Sequence, residues 1–246
     1  MADKHPVVLV TGAARRIGAS IARTLHAAGY DVALHCRASR AELDALIGEL
    51  ESARPRSTLA LQADLAEVER LPELVTTTVE RFGRLDGLVN NASAFYRTPL
   101  GTITAAHWDE LFAANARAPL FLAQAAAPEL AARNGAIVNL IDIYAERPLP
   151  QHSVYCMAKA ALAMATLALA QELGPQVRVN GIAPGAVLWP EAGKGYTDQQ
   201  ELIARTPLQR AGTPEDVVGA VLWLLRDAPF VTGQIIRVDG GRSLAI

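Results

Sequence analysis

At 246 residues, with 51% hydrophobic and 20% charged side chains, the chain is long enough to bury a large core within one α/β domain. A net charge of −2 excludes the strongly basic surface that nucleic acid or an anionic membrane would select. The two cysteines, Cys36 and Cys156, lie far apart in the chain and suggest neither a disulfide framework nor a metal site.

The start of the chain leads directly into a strand without the apolar stretch of a signal peptide. No apolar run reaches the ~18 residues of a membrane span, residues 160–170 coming nearest. A cytoplasmic protein, bound to neither membrane nor nucleic acid, is the expectation.

Residues 7–10 (VVLV) are a short apolar run of the kind that fills a buried parallel strand. The turn TGAARRIG, residues 11–18, follows, and Ile17, Ile21 and Leu25 then mark one face of a helix closed by Gly29. Strand, glycine turn and helix in this order make the phosphate-binding corner of a Rossmann unit. Gly12 and Gly18 are in place, but Arg16 stands where a middle glycine is expected. An arginine opposes the positive end of the helix unless an anion sits there, so Arg15 and Arg16 are read as phosphate-facing. A solvated basic pair is the plain alternative.

Residues 31–35 (DVALH) make the second strand, followed by Cys36-Arg37-Ala38-Ser39-Arg40. An acidic residue that would hold a ribose 2′-hydroxyl is missing from this turn, while Arg37, Ser39 and Arg40 suit a 2′-phosphate. The alternative is a solvated basic turn. The position favours NADPH.

Residues 43–51 read as a helix, 59–63 as a third strand ending in Asp64-Leu65, and 68–82 as an amphipathic helix ended by Gly83. Residues 86–89 form a fourth strand that opens onto Asn90-Asn91-Ala92-Ser93. Residues 105–130 read as one helix containing Pro119, whose missing N–H frees the carbonyl of Asn115 for a water or a side chain. A kink without further role is the alternative. The fifth strand, residues 135–141, places Asp142 at its carboxyl end, where open α/β sheets keep their ligand crevice. A long helix over 154–172 contains no glycine or proline. A sixth strand over 176–183 runs into Pro184-Gly185, and residues 186–211, including Trp189, have the length of a lid or binding loop. A helix over 214–225 is capped by Thr213, and 234–238 is the last strand. Together these elements predict a Rossmann-type doubly wound parallel sheet of about seven strands, helices on both faces, in one domain over 1–246.

Tyr155 and Lys159 fall four residues apart on the long helix and therefore on one face, one turn apart. An ammonium beside a phenol favours the phenolate, which makes Tyr155 a candidate proton donor. An ordinary buried tyrosine beside a snorkelling lysine is the alternative for the pair taken alone.

With these pieces in order, the chain resembles the short-chain dehydrogenase/reductases over essentially its whole length. The motifs that carry the resemblance are Thr11-Gly12…Gly18, Asp64, Asn90-Asn91-Ala92, Asn115, Tyr155-x-x-x-Lys159 and Pro184-Gly185. Two departures are informative: Arg16 in place of the middle glycine, and Asp142 where the family normally keeps a serine. Both are similar to pteridine reductases, as are Asn91-Ala92-Ser93-Ala94-Phe95-Tyr96 and the turn of His35, Arg37 and Ser39. Ala38 departs from the serine that relatives often carry, which removes one phosphate hydrogen bond.

The resemblance implies a cofactor site of Gly12, Arg15, Arg16, Ile17, His35, Arg37, Ser39, Asp64, Leu65, Asn91, Ala92, Ser93, Tyr155, Lys159, Pro184 and Gly185. It implies a proton relay of Asp142, Tyr155, Lys159 and a water anchored by Asn115. The substrate would meet Arg16, Ser93, Phe95, Asp142, Tyr155 and Trp189, with Phe95 and the nicotinamide sandwiching a flat pterin. A carboxylate at 142 would accept hydrogen bonds from the amidine-like edge of a pterin, whereas a carbonyl substrate needs a neutral donor. The alternative for Asp142 is a helix cap. The expected activity is NADPH-dependent reduction of dihydropterins, and of dihydrofolate, by a homotetramer with no metal. Reduction of ketones or acyl thioesters is the second reading, and a non-catalytic nucleotide-binding regulator the third.

Overall fold

The computed structural model describes residues 5–187 and 199–245. Seven strands form a single all-parallel sheet: β1 (Val7–Val10), β2 (Asp31–Cys36), β3 (Thr58–Gln62), β4 (Gly87–Asn90), β5 (Ala136–Leu140), β6 (Arg178–Pro184) and β7 (Ile235–Val238). Their order is β3-β2-β1-β4-β5-β6-β7. The order reverses between β1 and β4, and the carboxyl ends of those two strands open the ligand crevice of such sheets.

Side chains alternate across the sheet as strand geometry requires. Val8 and Val10 face one core with helices α1 (Arg16–Ala27), α2 (Arg40–Ala53) and α8 (Pro214–Arg226). Val7 and Leu9 face the other with α3 (Leu71–Phe82), α5 (Ala118–Ala131) and α6 (Ser153–Leu173). Helices thus cover both faces, and the strands are apolar on both sides because neither side meets water.

The expected helix over 105–130 is broken into three pieces: α4 (Ala105–Phe112), a wide π turn (Ala113–Arg117) and α5. In the π turn the Ala118 N–H reaches back five residues to the Ala113 carbonyl. Pro119 is the cause, since its ring crowds the carbonyl four residues earlier and it has no N–H to give. The distortion therefore centres on Asn115 itself. The helix expected over 68–82 likewise starts with a 3₁₀ turn (Val68–Arg70) before α3, because Pro72 fits only the first turn of a helix.

Two further expectations change. The stretch 186–211 is not all loop, since α7 (Gln199–Ala204) lies within it, while residues 188–198, Trp189 included, are outside the described residues. Helix α6 is also long and apolar enough to cross a membrane by length and composition, with a mean hydropathy of 1.5. Counting uninterrupted apolar runs misses this, because the run breaks at Lys159 while the average does not. The helix packs along β6 and against α5, and buries Tyr155 and Lys159, so it serves as a core helix of the α/β fold.

Candidate active site

Glycine chemistry shapes the corner after β1. Gly12 adopts φ +63, and a Cβ there would meet the Ala92 Cα at 2.8 Å. At Gly18 an added Cβ would fall 2.1 Å from the Gly12 carbonyl oxygen and 2.6 Å from Asn91 Nδ2. Both positions are therefore closed to side chains, and there the turn presents backbone to a ligand. Asn91 stitches it to β4: its side-chain amide donates to the carbonyls of Thr11 (2.9 Å) and Gly12 (3.0 Å). Thr11 returns the tie, its hydroxyl accepting from the Asn91 and Ala92 N–H groups at 3.0 Å each.

Arg16 opens α1 with φ +55, the left-handed conformation that glycine normally supplies. A residue with a Cβ pays roughly 1–2 kcal/mol to sit there, a strain typical of binding sites. The first turn of α1 has no acidic residue and no side-chain cap, so its positive end is not answered by a carboxylate of its own. Arg15 is exposed and 3.9 Å from Glu42, and Ile17 is half-buried beside it. This backbone cradle fits a pyrophosphate.

His35 lies elsewhere than a cofactor contact requires. It is 1% exposed; Gly12 N–H donates to its Nδ1 at 3.3 Å, and Nε2 lies 3.1 Å from the Ala63 carbonyl. With Nδ1 accepting, Nε2 carries the proton, and burial holds the imidazole pKa down. Both nitrogens are committed to backbone, so His35 fastens the glycine turn to β3 instead of facing the crevice. Arg37 is exposed just after β2, and the Ser39 hydroxyl makes no cap bond to α2. Asp64 accepts from the Ala66 N–H at 2.9 Å, which sets the turn after β3, with Leu65 buried behind it. Pro184 ends β6, and Gly185 passes so close to Asp239 that a Cβ would meet its Cα at 2.8 Å.

The candidate catalytic groups meet where β5 ends and α6 begins. Tyr155 donates its hydroxyl to Asp142 Oδ2 at 2.7 Å. The other carboxylate oxygen, Oδ1, accepts from Tyr144 N–H at 3.0 Å and so caps the 3₁₀ turn (Ile143–Ala145). Asp142 is thus both a cap and a partner of the phenol. Lys159 is 2% exposed, donates to the Leu140 carbonyl at 2.8 Å, and has its Nζ 5.9 Å from the Tyr155 ring centre. Burial lowers its pKa to about 8, the charge of Asp142 opposing this; burial also pushes the Asp142 carboxyl up, against its hydrogen bonds and Lys159.

Asn115 is fully buried, and both its amide protons are used, to Ala94 O (2.8 Å) and Leu111 O (2.9 Å), while Oδ1 accepts from Ser93 Oγ at 2.7 Å. The side chain is thus fully committed within the protein and is not open to a water. Phe95 packs edge-to-face with Tyr155 at 4.8 Å between ring centres. Its ring also stacks on His152 at 4.8 Å with planes 11° apart. His152 was not among the residues singled out from the sequence, although it lies one helical turn before Tyr155. Its 152/155 spacing was the only available signal.

The chain matches the enoyl-(acyl carrier protein) reductase family over residues 12–243. It is 38% identical to pteridine reductase 1 of Leishmania tarentolae, an alignment covering 97% of this chain and 96% of that protein. It is also 38% identical to L-xylulose reductase of Caenorhabditis elegans (96% and 95% covered) and 33% identical to 3-oxoacyl-(acyl-carrier-protein) reductase of Staphylococcus aureus (95% and 96%). A parallel sheet with a glycine cradle at its switch point, a tyrosine and lysine converging on one crevice, and likeness along nearly the full length of these enzymes lead to one assignment. The chain belongs to the short-chain dehydrogenase/reductases, oxidoreductases that use a nicotinamide cofactor.

Proposed function

We propose that the protein is an NADPH-dependent pteridine reductase that reduces dihydropterins such as dihydrobiopterin, and dihydrofolate, to their tetrahydro forms. The observation that carries this reading is a carboxylate at position 142, hydrogen-bonded to the Tyr155 hydroxyl and 13 residues upstream of it. A carbonyl reductase gains nothing from an anion beside an oxygen that becomes negative. A pterin edge, rich in N–H donors, does gain from one. Phe95, in ring contact with Tyr155, supplies a flat face at the same place. The likeness to pteridine reductase 1 supports the reading.

The nicotinamide supplies the hydride when bound. Tyr155 stands to deliver a proton from its hydroxyl, and Asp142 both orients that hydroxyl and, with its carboxyl pushed up by burial, can hold a proton nearer neutrality than an exposed aspartate. Lys159, fixed by the Leu140 carbonyl, keeps a positive charge near the phenol. Arg37 and Ser39, with no acidic residue among positions 37–40, favour the 2′-phosphate of NADPH over NADH. Arg16 and the Ser93 side chain border the space between cofactor and substrate in this reading.

The names of the xylulose and 3-oxoacyl reductases make reduction of ketones or acyl thioesters the second reading. Steady-state oxidation of NADPH and of NADH with dihydrobiopterin, dihydrofolate and simple ketones separates the two. Asp142→Ser restores the usual family residue, yet should slow dihydropterin reduction on the order of 10²–10³-fold with NADPH affinity nearly unchanged. Methotrexate, a diaminopteridine that pairs with a carboxylate, should inhibit the wild type and lose most of its affinity for the variant. A serine variant that reduces dihydropterins at the wild-type rate hands the function to the carbonyl reading.

A further inference from the structure

Two unfavourable features stand side by side just before α6. Gln151 adopts φ +64, a left-handed conformation that a residue with a Cβ seldom takes. His152 is 5% exposed, and its Nε2 is buried without a hydrogen-bond partner. The Pro150 carbonyl lies 2.9 Å from His152 Nδ1 and can only accept, so Nδ1 carries the proton and Nε2 is left as an unshared acceptor. The segment is held from two sides: Thr98 N–H donates to the Gln151 carbonyl at 2.7 Å, and Cys156 N–H to the His152 carbonyl at 2.9 Å. Strain and an unmet polar atom persist where the surrounding structure fixes a group for a purpose.

The purpose is visible in what the imidazole touches. It lies flat against Phe95, with ring centres 4.8 Å apart and planes at 11°, and Phe95 in turn meets Tyr155 at 78° and 4.8 Å. The three rings form a chain that ends at the phenol, and the Pro150 carbonyl fixes the orientation of its first member. We propose that His152 is a positioning residue: its anchored imidazole is the back plate that holds the Phe95 ring at a set distance from the Tyr155 hydroxyl, and so fixes the slot for a flat substrate. This rests on the pteridine reading above, in which Phe95 is the stacking face. One face of Phe95 is already taken by His152, so the substrate uses the opposite one.

The test compares His152→Ala, which removes the plate, with His152→Phe, which keeps a ring and removes both nitrogens. The Michaelis constants for dihydrobiopterin and for NADPH, and the melting temperature, are measured for both variants and the wild type. In His152→Ala the dihydrobiopterin KM should rise roughly five- to tenfold, the size of one lost ring contact, with the NADPH KM unmoved. His152→Phe should recover most of that loss, since it keeps the ring against Phe95; its melting temperature reads whether the lost Nδ1–H bond to the Pro150 carbonyl is offset by removal of the orphaned nitrogen. An unchanged dihydrobiopterin KM in His152→Ala overturns the inference, and so does a phenylalanine variant as impaired as the alanine one. A wild type that reduces ketones but no dihydropterin overturns the pteridine reading, and this inference with it.

Discussion

Lys159 shows how much one buried charge governs. Its ammonium is 2% exposed, and burial holds its pKa at about 8 against an ordinary 10.5. Below about pH 8 the lysine is charged in folded and unfolded chains alike, and the cost of burying that charge is present in full. From about 8 to 10.5 the unfolded chain holds a proton that the folded protein has released, so this cost fades as pH rises. The interval corresponds to roughly 3 kcal/mol at most, with part of it coupled to Asp142. In denaturant unfolding of the cofactor-free protein, Lys159→Met should be the more stable chain at pH 7.5, and its advantage should shrink by pH 9.5. An advantage that does not change with pH would show that the lysine titrates normally. The same residue that costs stability is the one placed beside the phenol, which is where a stability–function conflict is expected.

Among the elements, the β1–α1 corner depends on space that has been left unfilled. Gly18→Ala drives a methyl into the Gly12 carbonyl oxygen and the Asn91 amide. It should destabilise the protein by about 1–3 kcal/mol and weaken NADPH binding, both read from denaturant melts and cofactor titration. Gly48, exposed in the middle of α2 with nothing within 4 Å of an added Cβ, is the control. Gly48→Ala should stabilise by roughly 0.5–1 kcal/mol and leave cofactor binding alone. Every strand and most helices were legible from apolar periodicity and glycine or proline punctuation, because those signals are local. Asp142, Tyr155 and Lys159 were legible as one cluster because a strand end and a helix start must converge at the crevice. What was not legible depended on contacts across the sheet. His35 reads as a cofactor neighbour until its ring is seen bonded to Gly12 and Ala63, and His152 has no sequence signal beyond its spacing from Tyr155.

For the whole molecule, the two outer faces carry apolar side chains that the fold does not cover. On the α4–α6 side these are Trp108, Phe121, Met157, Met164 and Leu167; on the α8–β7 side, Trp223, Phe230 and Leu244. Helices α5 and α6 pack on one side of the sheet and α8 on the other. Two separate self-complementary patches are what a tetramer with two-fold axes requires, and we propose that assembly here. Sedimentation equilibrium at micromolar concentration should give a tetramer for the wild type, and Met164→Lys with Leu167→Lys should reduce it to a smaller species. A wild-type monomer would refute the assembly.

The π turn between α4 and α5 sets the phase of a helix with two jobs. An α-helix turns about 100° per residue, so a turn with one residue too many rotates everything after it relative to everything before. Within that turn Asn115 points inward to Ser93 and Ala94; a few residues on, in α5, Leu120 and Phe121 point outward, 42% and 37% exposed. Deleting one residue from 113–117 would turn α4 by about 100° against α5, so that Leu111 and the buried face of α5 (Leu122, Ala126, Leu130) could not both keep their places. The irregularity sets the phase of α5 against α4, and with it which residues of each helix reach the core.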